Sequence, residues 1–180
     1  MSGEDEIEVV AQGRFVRLAR RGTWEYAERF GIGGIVAIVA LTPERRVVLV
    51  EQYRIPVGAR VVELPAGLAG DTPEHAGEPL EAAARRELLE ETGWAAGSLE
   101  RLGEGPPSAG LTTERIAFFR ARELRREGEG GGDSSEDIEV HEVDLDQIDA
   151  WLAERERAGR LVDPKVYAGL YFLVRADGRG

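Results

Sequence analysis

The chain has no cysteine, a single lysine (Lys165) and no long apolar run. Without cysteine, disulfides, thiolate nucleophiles, zinc fingers and iron–sulfur clusters are excluded. The longest apolar run, residues 32–41, is far shorter than the ~20 residues that a membrane-spanning helix needs. The acidic start, residues 1–6, lacks the apolar segment of a secretory signal, so we expect a cytoplasmic protein.

Basic residues are too few to balance the acidic ones. The 180-residue chain has 23 Lys and Arg against 34 Asp and Glu, which gives a formal net charge of −11 and a pI of about 4.8. Nucleic acids and anionic membranes bind clustered basic side chains, so we expect neither as a partner. A hydrophobic share of 42% is typical of a folded chain, and the length suits one domain with a small extension.

Hydrophobic periodicity predicts strands on both sides of one central helix. This helix covers residues 79–92, a run of strong helix formers with Pro79 at its first position and Gly93 just past its end. Two further helices are predicted over 144–157 and 164–175. Strands are predicted over 7–18 (interrupted at Gly13), 23–30, 32–42, 45–53, 61–64, 99–102, 114–122 and 138–143. This order indicates an α/β or α+β layered domain.

Three glutamates crowd the end of the central helix. Glu87 and Glu91 are four residues apart and share one helix face, which Glu90 adjoins. Like charges at this spacing repel, and the C-terminal end of a helix disfavours anions. A hard divalent cation would offset both effects, and Mg²⁺ often shares its ligands with a substrate phosphate. The alternative is an ordinary solvated helix face on which Arg86 pairs with Glu90.

The surroundings of these glutamates resemble a known motif. Glu78, then seven residues, then residues 86–94 (RELLEETGW) resemble the Nudix box, Gly-x5-Glu-x7-Arg-Glu-U-x-Glu-Glu-x-Gly-U, where U is a bulky apolar residue. The leading glycine departs from the motif, since Thr72 stands at its position. Gly67 is then the equivalent residue, 11 positions before Glu78 instead of 6, so the predicted loop over 68–77 carries five extra residues.

The resemblance extends to the ADP-ribose pyrophosphatase branch of the Nudix hydrolase family. The segments that carry it are 23–25, 51–54, 63–67, 135–138 and 162–167. It implies a Nudix fold, in which a mixed β-sheet is sandwiched between helices, with an N-terminal antiparallel β extension. Residues 1–30 would then form a dimerisation and substrate-binding extension, and residues 31–180 the hydrolase domain. The resemblance also implies a homodimer in which the N-terminal strands are exchanged.

By this resemblance, the glutamates hold metal ions. Glu87 and Glu91 would bind the metal directly, Glu90 would be a further or bridging ligand, and the carbonyl of Ala66 would complete one site. Arg86 would orient the carboxylates through charge-assisted hydrogen bonds. The expected cofactor is Mg²⁺, with Mn²⁺ as the alternative.

The general base, by the same resemblance, lies in a loop after the central helix. Glu136 matches that position and follows a segment rich in glycine and acidic residues. It would need to come within hydrogen-bond reach of a metal-held water. Asp133 and Asp137 are the alternatives. Glu78 would help through a water molecule or as a helix cap.

Six residues are candidates for substrate contact. Arg54 would contact the diphosphate or the terminal ribose, and Trp24 and Phe15 would stack on a nucleobase. Each of the two aromatic residues could instead belong to the core or to a dimer interface. The full set is Phe15, Trp24, Glu25, Arg29, Arg54 and Leu68.

These features predict a metal-dependent hydrolase. It would cleave the diphosphate bond of ADP-ribose or a related nucleoside diphosphate sugar into a nucleoside monophosphate and a sugar phosphate. GDP-mannose or another nucleotide sugar is the alternative substrate, because Ala109 stands where family members active on ADP-ribose often have proline. An alternative of another class is a catalytically silent ligand sensor, against which the intact set of glutamates argues.

Overall fold

The computed structural model describes residues 6–132 and 137–176, and within them the chain forms three helices and thirteen strands. The helices are α1 (Leu80–Thr92), α2 (Ile148–Arg157) and α3 (Pro164–Ala176). The strands are β1 (Glu8–Gln12), β2 (Val16–Arg21), β3 (Trp24–Arg29), β4 (Gly34–Ala40), β5 (Arg46–Arg54), β6 (Ala59–Glu63), β7 (Ala66–Ala69), β8 (Trp94–Ala95), β9 (Ser98–Gly105), β10 (Ile116–Arg122), β11 (Arg125–Arg126), β12 (Glu139–Asp144) and β13 (Leu161–Val162).

Two four-stranded mixed sheets form the body of the protein. One has the order β7-β4-β10-β9, in which β4 and β10 are parallel and the other pairs are antiparallel. The other has the order β12-β5-β6-β13, with a single parallel pair between β6 and β13. Strands β8 and β11 form a separate short pair. Parallel and antiparallel pairs thus occur in both large sheets, as the sequence predicts.

Strand β4 lies at the centre of the core because both of its faces are covered. Val36 and Ile38 pack in one cluster with Leu88 of α1. Val39, on the opposite face, packs in a second cluster with Leu173 of α3. A strand that is buried on both faces has a near-continuous apolar sequence, which is what this segment shows. Helices therefore cover both sides of the sheet.

Helix α1 begins and ends close to the predicted positions. Gly93 adopts the left-handed conformation (φ 72°), and its N–H donates to the carbonyl of Leu89, which closes the helix. The sequence predicts Pro79 at the first helical position. In the structure, Pro79 lies one position before the first helical residue. Its fixed φ of −62° still presets the entry into the helix.

The expected loop over 68–77 is shorter in the structure. Its first residues belong to β7, where Leu68 pairs with Ile35 of β4, and Gly33 donates its N–H to the carbonyl of Ala69 at 2.7 Å. Because β7 pairs with the central strand β4, regular structure continues into the segment where glycine and proline residues predict a loop. A 3-10 turn, Pro73–His75, follows before α1.

The last two helices begin at aspartate caps. Asp144 accepts from the N–H of Asp146 at 2.8 Å and caps a 3-10 turn that leads into α2. Asp163 accepts from the N–H of Lys165 at 2.8 Å and so caps α3. Within the described ranges, no helix combines the length and apolarity needed to cross a membrane.

The first three strands form an antiparallel sheet of their own, in the order β1-β2-β3. This N-terminal sheet is joined to the body through β3. Ala27 donates its N–H to the carbonyl of Leu111 at 2.8 Å and accepts from Thr113 at 3.2 Å. Arg29 adds an ion pair with Glu114 at 2.9 Å. These contacts place the C-terminal end of β3 beside the start of β10.

Candidate active site

Helix α1 and strand β7 approach each other very closely at one point. A Cβ atom added to Gly67 would lie 2.0 Å from the carboxyl carbon of Glu87 and within 2.5 Å of both its oxygens. Only glycine therefore leaves room for this carboxylate against the strand. This contact identifies Gly67 as the residue that positions the first glutamate of the acidic helix.

The second glutamate of this face lies deeper. Glu91 is 3% exposed, and its carboxylate accepts the N–H of Ala66 at 2.9 Å. Strand β7 thus contacts both glutamates. The N–H of Ala66 donates to Glu91, and Gly67 lies against Glu87. Burial raises the pKa of Glu87 to about 7, against the opposing influence of the Arg86 charge. A cation beside these carboxylates would reduce the free-energy cost of ionising Glu87 in its buried position.

Arg86 holds the acidic groups together. Its guanidinium donates to Glu78 at 2.8 Å, to Glu87 at 2.9 Å and to Glu90 at 3.0 Å. It also donates to the carbonyl of Leu68 at 3.1 Å, which links α1 to β7. These bonds fit the expected role of Arg86 in orienting the carboxylates. They fit a purely structural role equally well, because the same hydrogen bonds would serve it.

Glu78 is a partner of Arg86 and not a helix cap. The cap position of α1 belongs to Pro79, and no side chain caps the helix there. Glu78 instead accepts the N–H of Gly70 at 3.2 Å as well as the Arg86 guanidinium, and the bond to Arg86 lowers the pKa of Glu78. It thereby ties the long loop before α1 back to the helix.

A cavity of about 480 Å³ opens in front of these carboxylates. Six of the predicted residues line it together: Arg29, Arg54, Ala66, Leu68, Glu87 and Glu91. Five polar residues on its wall were not among the predicted site residues: Gln52, Glu63, Asp71, Glu114 and Lys165. The segments quoted for the resemblance contain Gln52, Glu63 and Lys165, whereas no local signal would have selected Asp71 or Glu114.

The charges of this cavity favour a bound cation. Five carboxylates and three basic side chains line it. Two of the basic groups are already paired, Arg29 with Glu114 at 2.9 Å and Arg54 with Glu63 at 2.6 Å. A phosphate would therefore meet a net negative wall. Carboxylate oxygens are ligands for hard divalent ions, so Glu87 and Glu91 fit a metal that neutralises this excess.

Glu90 faces a different cavity. With Arg86 and Glu87 it lines a neighbouring space of about 400 Å³, and its side chain is 51% exposed. Glu87 and Asp71 line both cavities. Glu90 thus shares a cavity with Glu87 but not with Glu91.

Of the two predicted stacking residues, Phe15 lies near Arg29, because its carbonyl accepts the N–H of Phe30 at 3.4 Å, whereas Trp24 lies at the other end of β3. Trp24 begins β3 and Arg29 ends it, so about 17 Å of strand separates them at roughly 3.3 Å per residue. Trp24 is 63% exposed and Phe15 is 59% exposed, and Glu25 is also exposed. Of the predicted residues on this sheet, Arg29 is the one that lines the carboxylate cavity.

Glu136 and its alternative Asp133 lie outside the described residues, but the residues around them are described. On one side, Gly131 donates its N–H to the carbonyl of Glu91 at 2.7 Å, and Gly132 donates to that of Glu90 at 3.1 Å. On the other side, Asp137 is 85% exposed and pairs with Arg60 at 2.8 Å. The hydrogen bonds of Gly131 and Gly132 thus attach the chain before Asp133 to the C-terminal end of α1.

A second acidic group lies on the β12-β5-β6 sheet. Carboxylate and imidazole atoms of Glu51, Glu139 and His141 lie within 4.8 Å of one another, so they also could hold a metal ion. Glu51 already accepts hydrogen bonds from Arg60 at 3.0 Å and Arg160 at 2.9 Å. Two arginines beside it make this group a poorer cation site than the pair on α1.

Known proteins are similar to this chain in both sequence and fold. The chain is 34% identical over 141 residues to the methanol dehydrogenase activator of Bacillus methanolicus, which covers 78% of this chain and 71% of the relative. It is 36% identical to an ADP-ribose pyrophosphatase of Bacillus subtilis (68% and 64% covered). It is 37% identical to a GDP-mannose pyrophosphatase of Pectobacterium atrosepticum (66% and 61% covered). The last two matches span less than two thirds of the relatives' length.

A solved structure confirms the predicted fold. An ADP compounds hydrolase superposes with a TM-score of 0.71 over 97% of this chain and 95% of its own, at 20% identity. Residues 33–163 match the family model of the NUDIX domain, which covers most of the chain. The chain therefore belongs to the Nudix family, as its acidic helix predicts.

Proposed function

We propose that this protein is a metal-dependent hydrolase that cleaves the diphosphate bond of ADP-ribose or a related nucleoside diphosphate sugar. The observation that carries the proposal is the position of Glu87 and Glu91 against β7, in one cavity with Arg29 and Arg54. Relatives named as ADP-ribose and GDP-mannose pyrophosphatases support this substrate class. Water adds to one phosphorus, the bond to the bridging oxygen breaks, and a nucleoside monophosphate and a sugar phosphate leave.

The proposed cofactor is Mg²⁺, with Mn²⁺ as an alternative. Glu87 and Glu91 would hold it directly, with Glu90 and the carbonyl of Ala66 as further ligands. When bound, it supplies positive charge to the phosphate oxygens. Arg86 keeps the carboxylates aligned through its bonds to Glu87 and Glu90. The raised pKa of Glu87 is consistent with a group that is built to face a cation.

Substrate binding divides between the cavity and the N-terminal sheet. We assign Arg29, Arg54 and Leu68 to the phosphates and the adjoining ribose. About 17 Å of strand separates Trp24 from Arg29 in β3. Trp24 and Glu25 would therefore serve a neighbouring copy in a homodimer, whose exchanged strands lie within residues 1–30, and Phe15 would stack on a nucleobase. Residues 31–180 would form the hydrolase domain.

The remaining assignments follow the resemblance. Glu136 is the proposed general base, because Gly131 and Gly132 anchor the chain before it to the carbonyls of Glu91 and Glu90. Asp137 is a weaker candidate, since it pairs with Arg60. The proposed location of the protein is the cytoplasm, without a nucleic-acid or membrane partner.

Product analysis tests this proposal. The purified protein is incubated with ADP-ribose and Mg²⁺, beside Glu91→Gln and the control Glu81→Gln, which changes an exposed residue of the same helix. We expect AMP and ribose 5-phosphate from the wild type and from Glu81→Gln, and none from Glu91→Gln. Cleavage of GDP-mannose alone would move the assignment to that sugar. No cleavage of any nucleotide sugar would support a silent ligand sensor and contradict the proposal.

A further inference from the structure

A glycine-rich segment lies across the C-terminal end of α1. We call it the glycine strap and define it as residues 127–132. Gly131 donates its N–H to the carbonyl of Glu91 at 2.7 Å, and Gly132 donates to that of Glu90 at 3.1 Å. Both carbonyls belong to the last turn of the helix, where the helix itself supplies no donors. The strap thus satisfies the backbone of two residues whose side chains are proposed metal ligands.

The glycine strap packs against the helix too closely for a side chain at two positions. A Cβ atom added to Gly130 would lie 2.4 Å from the carbonyl carbon of Thr92. A Cβ atom added to Gly93 would lie 2.1 Å from the carbonyl oxygen of Gly128. Gly130 also has a φ of 77°, a conformation that side chains disfavour. Glycine at both positions is therefore what allows the strap to attach to α1.

The donors of the glycine strap also act on the charge at this end of the helix. Unpaired carbonyls give a helix C-terminus a partial negative charge, which disfavours the carboxylates of Glu90 and Glu91. The N–H groups of the strap offset part of that charge. Glu91 is held from two directions, because Ala66 of β7 donates to its carboxylate at 2.9 Å and Gly131 donates to its carbonyl. A ligand that is fixed before binding loses less conformational freedom when the ion arrives.

The end of the glycine strap reaches the cavity of Glu90. Gly132 lines that cavity together with Arg86, Glu87 and Glu90. The carboxylate of Glu90 pairs with Arg86 at 3.0 Å, and its carbonyl accepts from the strap. A change in the strap would therefore alter both the backbone of Glu90 and a wall of the space that its carboxylate faces.

We propose that the glycine strap is a positioning element of the metal site, with Gly93 and Gly130 as the positioning residues that let it attach. Metal binding and attachment of the strap are then coupled. The coupling is reciprocal, so a bound ion holds the strap and the attached strap raises the affinity for the ion. The inference rests on the proposed function, because it concerns the same metal. It adds no ligand and changes no step of the proposed cleavage.

Calorimetric titration with Mg²⁺ tests one direction of this coupling. Gly130→Ala adds the Cβ atom that would contact Thr92, and we expect the Kd for Mg²⁺ to rise about tenfold, within the usual range for coupled sites. The matched control is Gly159→Ala. Gly159 has a φ of 81°, and in the described part of the chain an added Cβ meets no atom of a non-neighbouring residue within 4 Å. This control carries the same kind of backbone strain without the contact, so its Kd should change by less than about twofold.

Hydrogen exchange of the wild type tests the other direction. The amides of Gly131 and Gly132 should exchange more slowly in Mg²⁺ than in EDTA, by about the same factor of ten. Glu91→Gln should remove this difference, because it removes a proposed ligand. A purely structural contact would lower the Tm of Gly130→Ala, but it would change neither the Kd for Mg²⁺ nor the response of these amides to the ion.

The outcomes separate this inference from the proposed function. An unchanged Kd in Gly130→Ala, or exchange of the strap amides that Mg²⁺ does not alter, would overturn the inference and leave the proposed function intact. An equal rise in Kd for Gly159→Ala would also overturn it, because strain alone would then account for the effect. If the wild type binds neither Mg²⁺ nor Mn²⁺, both proposals fail. If Gly130→Ala does not fold, the exchange measurement on the wild type decides alone.

Discussion

Replacing Glu87 by glutamine should stabilise the metal-free protein at alkaline pH and abolish its response to metal. The carboxylate is 14% exposed, and burial raises its pKa from 4.5 to about 7. Below the unfolded pKa, both states carry the proton and the group contributes nothing. Between about 4.5 and 7 the folded state alone retains the proton, so stability falls as the pH rises. Above the folded pKa the penalty is complete.

The size of the penalty follows from the shift. At 1.36 kcal/mol per pKa unit, the raised pKa of Glu87 costs the metal-free protein about 3 kcal/mol at pH 8 and about 0.8 kcal/mol at pH 5. Glutamine keeps the hydrogen bond from Arg86 without the charge. We therefore expect Glu87→Gln to raise Tm at pH 8 by roughly 6–12 °C for a chain of this size. At pH 5 the difference in Tm should shrink to roughly 2–3 °C.

Thermal melts in EDTA and in Mg²⁺ measure both effects. Mg²⁺ at 100 times its Kd should stabilise the wild type by about 2.7 kcal/mol and Glu87→Gln hardly at all. The control Glu81→Gln, on the exposed side of α1, should differ from the wild type by less than about 0.5 kcal/mol in either buffer. A lower Tm for Glu87→Gln in EDTA at pH 8, or the same shift at pH 5 and pH 8, would refute the reasoning.

Three further predictions follow from buried contacts. Gly67→Ala brings a Cβ atom to 2.0 Å from the Glu87 carboxyl carbon, so it should cost about 1–3 kcal/mol and weaken Mg²⁺ binding, measured by melts and calorimetry. Arg86→Met leaves three carboxylates without their shared cation and should cost about 3 kcal/mol in urea unfolding, part of which Mg²⁺ restores. Burial would raise the pKa of Glu51, but its hydrogen bonds from Arg60 and others outweigh this and lower it. Its stabilisation is present above pH 4.5 and lost as the pH falls further, so Glu51→Gln should flatten the acid side of the pH–stability curve.

The sequence predicts the parts of the site that are local in the chain. Glu87 and Glu91 lie on one turn of one helix, so their common face follows from spacing alone, and the structure places both in one cavity. Gly67 could be selected from the motif, and the structure adds the reason, which is its contact with Glu87. The family and the fold are confirmed on the same basis.

The residues that sequence reasoning missed come from distant segments. Gln52 and Lys165 are separated by more than a hundred residues and reach the same cavity through the pairing of β5, β6 and β13 and the start of α3. Both belong to segments that carry the family resemblance, but no short pattern shows that they meet at one cavity. The part that Trp24 plays in substrate binding stays a prediction, because it stands at the opposite end of β3 from Arg29. The role of Glu136 stays a prediction.

The single lysine gives this protein a built-in chemical handle. Lys165 carries the one side-chain amine in a chain of 180 residues, and this residue lines the carboxylate cavity. An amine-reactive reagent can therefore attach a label to one defined side chain without any engineered residue. Because Asp163 pairs with this amine and a nucleotide bound in the carboxylate cavity would cover it, the rate of labelling should fall when that cavity is filled.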